Sequence, residues 1–186
     1  MSRRRQRFVA RRIPRRWPGV LAVVLVLVAL TALRWWHGQS HPSGPESLPE
    51  STYLVERVVD GDTLLLANRA RVRLMGADTP ETVQPNHPVE PFGPQATEFT
   101  RRFVARGKGR VRLQFDPERI DKYGRFLAYV WVGDRMLNEE LIRAGLATAE
   151  TRFRYSSTMK TRFRRAEEEA RAAGRGIWGA RAPAAR

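Results

Sequence analysis

Seventeen residues without a charge, from Trp17 to Leu33 (WPGVLAVVLVLVALTAL), interrupt a chain that is otherwise strongly basic. As a helix this run spans about 25 Å, and its flanks Trp17, Arg34, Trp35 and Trp36 extend it toward the roughly 30 Å of a hydrocarbon layer. It is apolar on every side, which argues against the one-sided stripe of a core helix. Ahead of it stand Arg3, Arg4, Arg5, Arg7, Arg11, Arg12, Arg15 and Arg16, with no acid among them. The positive-inside rule keeps that end cytoplasmic and sends the remainder of the chain to the outer face of the membrane. A cleaved signal peptide, leading to secretion, is the competing reading. It calls for small residues at alternating positions near the end of the run, where Leu30-Thr31-Ala32 places a bulky Leu at the first. The resulting division is a basic cytoplasmic tail over 1–16 and a transmembrane helix or signal anchor over 17–36. A flexible Pro/Gly/Ser-rich tether over 37–52, a domain over 53–180 and a disordered tail over 181–186 follow.

Charge is carried by both parts. Of 34 Lys+Arg against 19 Asp+Glu in 186 residues, 25 and 17 fall in residues 51–186. The domain is therefore basic in its own right, as suits a protein that meets polyanions, although basicity alone is weak evidence for nucleic acid. The absence of cysteine excludes disulfides and thiolate metal sites.

Within the domain, residues 53–58, 63–67 and 70–75 are short, aliphatic and separated by turn chemistry, which predicts three strands. In the third, alternation sends Val72 and Leu74 to one face and Arg73 to the other. Gly93-Pro94 opens a helix with Ala96, Phe99, Phe103 and Val104 as its apolar stripe and Gly107 as its terminator. Strands are predicted near 110–116 and 125–132. A short helix follows, capped by Asn138 and ending at Gly145, and then a longer one over 157–173 that buries Met159, Phe163, Ala166, Ala170 and Ala173. Five short strands with helices inserted late predict an α+β domain, a five-stranded β-barrel of the oligonucleotide-binding kind (OB-fold) with about three α-helices. Such barrels host many functions, so the fold leaves function open.

Three pieces carry chemistry. Asp60-Gly61-Asp62-Thr63 is, by itself, a hairpin turn, and the acids that an EF-hand loop needs are missing. Arg73-Leu-Met-Gly-Ala-Asp78-Thr79-Pro80-Glu81 leads a strand into a proline bend that can bring Glu81 back toward Asp78, a source of oxygen ligands for a hard cation. Asp121-Lys122-Tyr123-Gly124-Arg125 is a β-turn with an arginine at a strand start. Each has an ordinary structural reading when taken singly.

Together, in identity, order and spacing, the three resemble the staphylococcal-nuclease (thermonuclease) family. The resemblance covers nearly all of residues 53–180 and includes Val89-Glu90-Pro-Phe-Gly93-Pro94, Asn138-Glu-Glu-Leu-Ile-Arg-Ala-Gly-Leu-Ala147 and Gly-Ile-Trp178. It implies a Ca²⁺-dependent nuclease that hydrolyses DNA and RNA, single strands favoured, endonucleolytically and exonucleolytically to 3′-phosphates, acting as a monomer. It implies further that Asp62 and Asp78 are Ca²⁺ ligands together with the Thr79 carbonyl, and that Glu81 positions the attacking water or deprotonates it. Arg73 and Arg125 would stabilise the phosphorane-like transition state, a role for which the planar, permanently charged guanidinium is suited. Lys122 and Tyr123 match the family's contacts to the nucleotide's terminal phosphate. At 149–155 the chain departs from the family: Thr151 and Phe153 stand where tyrosines are frequent, so stacking on a base falls to Phe153, flanked by Arg152 and Arg154. The competing class is a non-catalytic copy of the same barrel that binds nucleic acid or peptide from its membrane tether; copies of that kind typically lose some of the five residues Asp62, Asp78, Glu81, Arg73 and Arg125, all present here.

Overall fold

The alternation of buried and exposed residues along β5 (Arg110–Gln114), where Val111 and Leu113 are buried and Arg110 and Arg112 exposed, is that of a strand with one face on a core. It belongs to a computed structural model that describes residues 26–27, 44–82 and 89–179. The chain divides into two units, residues 1–42 and 43–186. In the first only Val26 and Leu27 are described, as helix, so the expected anchor over 17–36 lies almost wholly outside the described residues. Among the described residues no helix is long and apolar enough to cross a membrane.

The second unit is α+β. Strands β1 (Thr52–Val58), β2 (Thr63–Leu66) and β3 (Arg71–Leu74) form an antiparallel meander. On its other edge β1 pairs antiparallel with β5, and β5 with β6 (Phe126–Val132). The parallel pairing of β3 with β6, Val72 opposite Phe126 and Leu74 opposite Ala128, closes these five strands into a barrel without a free edge. The bend that closure requires falls in β1, where the register shifts between Val55 and Arg57. Three two-residue strands were not foreseen: β4 (Ala77–Asp78) pairs with β8 (Thr148–Ala149), and β7 (Arg135–Met136) folds back antiparallel on the end of β6. Helices α1 (Gly93–Arg106), α2 (Leu137–Arg143) and α3 (Ser157–Ala172) pack about the barrel. Leu64, Leu66, Val72, Leu74, Phe103, Leu113, Val130, Leu141, Ile142 and Phe163 form one continuous core.

Three expectations change. Asn138 does not cap α2; it sits inside the helix, fully buried. Its amide donates to the carbonyls of Met75 (2.9 Å) and Ala128 (3.1 Å), and its oxygen accepts from the Val130 N–H (2.9 Å). A buried amide so saturated ties α2 to β6 and to the end of β3, the strand that carries Arg73. The expected tether is also shorter than 37–52, because Leu48 is buried in the core and Glu50 accepts from the Phe115 N–H at 2.9 Å. Ala173, expected on the apolar face of the last helix, is exposed at its C-terminal cap.

Candidate active site

The turn between β1 and β2 is built to present Asp62. The Asp60 side chain accepts from the Asp62 N–H (3.2 Å), an Asx-type turn. The Thr100 hydroxyl of α1 donates to the Gly61 carbonyl at 2.6 Å. A Cβ on Gly61 would lie 2.7 Å from Thr79 Oγ1 and 2.8 Å from Ala96 Cβ, so only glycine lets the turn sit between α1 and the Thr79 loop. Asp62 itself is 2% exposed. Its Oδ1 accepts from Arg73 Nη1 (2.7 Å) and Thr63 Oγ1 (3.0 Å), and its Oδ2 accepts from the Thr79 N–H (3.0 Å).

Arg73 connects this carboxylate to the next. Strand β3 aims it away from Val72 and Leu74, and its second arm donates to Asp78 Oδ1 at 2.5 Å. Asp78 is fixed by the β4–β8 pairing opposite Thr148. After Pro80 the chain turns, and Glu81 and Glu90 are stapled to one another. The Glu81 N–H donates to Glu90 Oε2 (3.0 Å), and the Glu90 N–H donates to the Glu81 carbonyl (2.9 Å). The start of α1 lies against this loop, since a Cβ on Gly93 would come within 2.5 Å of the Thr82 methyl.

Arg125 enters from the start of β6, the strand beside β3, two residues before Leu127, the partner of Arg73. Asp121 organises it: one carboxylate oxygen accepts from Arg125 Nε (2.7 Å), and the other from the N–H groups of Arg125 and Tyr123 (2.9 Å each). Lys122 Nζ and the Arg125 guanidinium lie 4.9 and 5.4 Å from the centre of the Tyr123 ring. A cleft of about 670 Å³ is lined by Arg73, Asp78 and Glu81 on one side and by Lys122, Tyr123 and Arg125 on another. Arg152, Phe153 and Arg154 form its third wall. Tyr123 and Phe153 are exposed residues, at 69% and 63%.

The structure thus brings eight of the nine expected site residues to one cleft or directly behind it, with Asp62 beneath Arg73. The ninth, Thr79, joins through its N–H to Asp62. Thr151 does not line the cleft, and His87 lies outside the described residues. Sequence reading gave no role to Thr63, Thr100, Glu90 or Asp121. Of these only Asp121 left a signal, an acid four residues before Arg125. Glu150, a further carboxylate in the cleft wall paired with Arg152, was also missed.

The electrostatics at this end are short of positive charge. Burial raises the pKa of Asp62, with nearby Asp60 adding to it and Arg73 opposing. Asp78 is raised by burial and by Asp62, again against Arg73. One guanidinium therefore serves two carboxylates, and both titrate above the ordinary range. The donors are all hard oxygens, a set that fits a divalent hard cation such as Ca²⁺. Among the described residues no three His, Cys, Asp or Glu side chains converge as a metal site. Two carboxylates supply part of a sphere of about six to eight oxygens, leaving the remainder to a backbone carbonyl, water and substrate.

A sequence family described as "Staphylococcal nuclease homologue" matches residues 71–180 of the chain. The thermonuclease of Staphylococcus hyicus is 38% identical over 164 residues, covering 86% of this chain and 95% of that protein. The thermonuclease of Staphylococcus intermedius is 44% identical over 136 residues, 71% of this chain and 79% of that one. Endonuclease YncB of Bacillus subtilis is 35% identical over 145 residues, 76% of this chain and 67% of that protein.

Proposed function

Because the chain belongs to the staphylococcal nuclease family and is, as a thermonuclease homologue, a phosphodiester hydrolase, we propose that it cleaves DNA and RNA to 3′-phosphate products in a Ca²⁺-dependent reaction. The observation that carries this reading is the shared cleft, in which Arg73, Arg125, Glu81 and Asp78 face one space of nucleotide size.

Asp62 and Asp78, with the Thr79 carbonyl, would hold Ca²⁺, which when bound supplies Lewis-acid polarisation of a phosphoryl oxygen and relieves the mutual repulsion of the two carboxylates. Arg73, whose two arms reach Asp62 and Asp78, would offer its further N–H donors to the scissile phosphate. Arg125, pre-set by Asp121, offers a second fork to the same group. Charge grows on the equatorial oxygens as water adds to phosphorus, so two fixed guanidiniums stabilise the transition state more than the ground state. Glu81 orients the attacking water, and the P–O5′ bond breaks so that phosphate stays on the 3′ carbon. Lys122 and Tyr123 hold the terminal phosphate, and Phe153 stacks on a base.

The domain acts outside the cytoplasm, anchored through residues 17–36 or released by cleavage there. The eight arginines ahead of that run support this placement. Protection of the domain from protease added to intact cells would contradict it.

Product analysis tests the chemistry. Single-stranded DNA digested by the protein should acquire 5′-hydroxyl and 3′-phosphate ends, so the fragments accept label from polynucleotide kinase without prior dephosphorylation. Fragments with 5′-phosphates would overturn the assignment.

A further inference from the structure

Strand β5 carries a pattern that neither the core nor the cleft uses. Lys108, Arg110 and Arg112 are exposed while Val111 and Leu113 between and after them are buried. Lys108 opens the row from the turn before the strand, with φ 54°. Arg110 and Arg112 follow on the outer face, about 7 Å apart along the strand. Among the described residues none of the three takes part in an ion pair.

The row has neighbours suited to one kind of partner. Arg112 stands opposite Trp131 in the β5–β6 ladder, its guanidinium 5.1 Å from the indole centre. Arg162 of α3 meets the same ring at 5.5 Å while paired with Glu139, and the indole N–H donates to Gln114. At the other end Lys108 joins Arg57 and Arg101 around a groove of about 790 Å³ between β1 and α1. Its one acid, Glu56, is engaged by Arg69.

Like charges repeated along one sheet face without acids opposite weaken a fold, so packing supplies no reason for the row. A polyanion laid along it reverses the sign of that interaction and releases its own counterions. Leu127 lines the cleft and Trp131 lies four residues further along β6, about 13 Å away. Tyr129 between them is buried against Phe163 of α3, so cleft and row are separated by that helix and only a strand longer than the cleft holds can meet both.

We propose that the outer face of β5, formed by Lys108, Arg110 and Arg112 with Trp131 beside them, is a second contact surface for the sugar-phosphate backbone of the nucleic acid held in the cleft. This rests on the nuclease reading above. It makes affinity depend on substrate length and on salt, and it is indifferent to base sequence because it engages phosphates. An anionic membrane surface suits the face less well. Leu54 is its exposed aliphatic residue, and the Trp131 ring is overlaid by guanidiniums, so little apolar surface is free to insert.

The test compares the full chain with a Lys108→Gln/Arg110→Gln/Arg112→Gln variant, using mixed-sequence single-stranded DNA of about 30 nucleotides and a tetranucleotide as probes. In EGTA, the variant should bind the long probe about tenfold more weakly. Its dependence of log K on log salt should be shallower by about 2, at about 0.7 per lost phosphate contact. In Ca²⁺, tetranucleotide hydrolysis should be unchanged, and thermal unfolding should occur no lower than in the unaltered chain. An unchanged salt slope, or equal losses on long and short probes, would overturn the proposal. So would loss of binding to phosphatidylserine vesicles with DNA binding intact. Failure of the nuclease reading would show separately, as no hydrolysis of either probe by the unaltered chain, while the binding slopes would still report on the row.

Discussion

Among the described residues, the carboxylates and arginines of the cleft and those between α2 and α3 are balanced in opposite senses. In the cleft, Asp62 and Asp78 share Arg73, and burial holds both acids above the usual carboxylate range. Between α2 and α3, Glu139 alone accepts from both Arg143 and Arg162 at 2.5 Å, and Arg143 reaches on to Glu169 at 3.0 Å. Burial also acts on Glu139, but hydrogen bonds from Arg162 and Arg143 outweigh it and bring its pKa below the ordinary value. The second cluster is complete as it stands and fastens two helices. The first has more negative charge than its own residues satisfy, which is the condition for recruiting a cation. Buried ion pairs are therefore informative less by their presence than by their stoichiometry.

Substitutions can break that comparison. The largest effect is expected at Arg73. Arg73→Ala should lower kcat on single-stranded DNA about a thousandfold, the scale of removing one donor aimed at transition-state charge. Steady-state kinetics at saturating Ca²⁺ would check it, and kcat within a few fold of the unaltered chain would contradict it. Next is Glu139→Gln, which leaves two guanidiniums without their shared acid. Because these are only partly buried, a loss of about 1–2 kcal/mol in urea unfolding is expected, with the Ca²⁺ dependence of hydrolysis intact. The mirror change in the cleft has the opposite sign. Asp62→Asn should stabilise the Ca²⁺-free fold at neutral pH by on the order of 1 kcal/mol, since it removes a buried charge, and should abolish stabilisation by added Ca²⁺. Destabilisation of the Ca²⁺-free fold by Asp62→Asn would mean that the cleft is as well balanced as the helix cluster.

The smallest effect is in the pH profile. Glu139 and Asp121 have folded pKa values below their ordinary 4.5 and 3.8. Their contribution is complete above those values and disappears as pH falls through the lower folded ones. Asp62 and Asp78 are raised, so their contribution is present in acid and lost as pH climbs through the folded values. The fall of stability with pH on the acid side in EGTA should therefore be shallower in Glu139→Gln than in the unaltered chain. An unchanged limb would remove Glu139 from the account.

The elements of the barrel could be read from the sequence because strand alternation and helix punctuation are local signals. Val72, Arg73 and Leu74 declare their faces by parity alone, and Pro94 and Gly107 bracket α1. The site was legible for a different reason: each of its three turns has an ordinary structural reading, and only their joint identity, order and spacing, through the resemblance to the staphylococcal-nuclease family, gave their residues roles. What escaped depends on partners far along the chain. Asn138 looks like a cap because its neighbours begin a helix, and only the carbonyl of Met75, 63 residues away, shows it to be a core clamp. Glu139 and Arg162 are ordinary surface helix residues until α2 and α3 pack. Leu48 sits in a segment of tether composition, and a single apolar residue there carries no period to reveal its burial.

The claim that the under-compensated cleft is the catalytic, cation-dependent centre is met most directly by digestion of single-stranded DNA with Ca²⁺, then with EGTA, then with Ca²⁺ restored. Hydrolysis should cease in EGTA and return on adding Ca²⁺, in both the unaltered chain and Glu139→Gln. Hydrolysis that continues undiminished in EGTA would contradict the account.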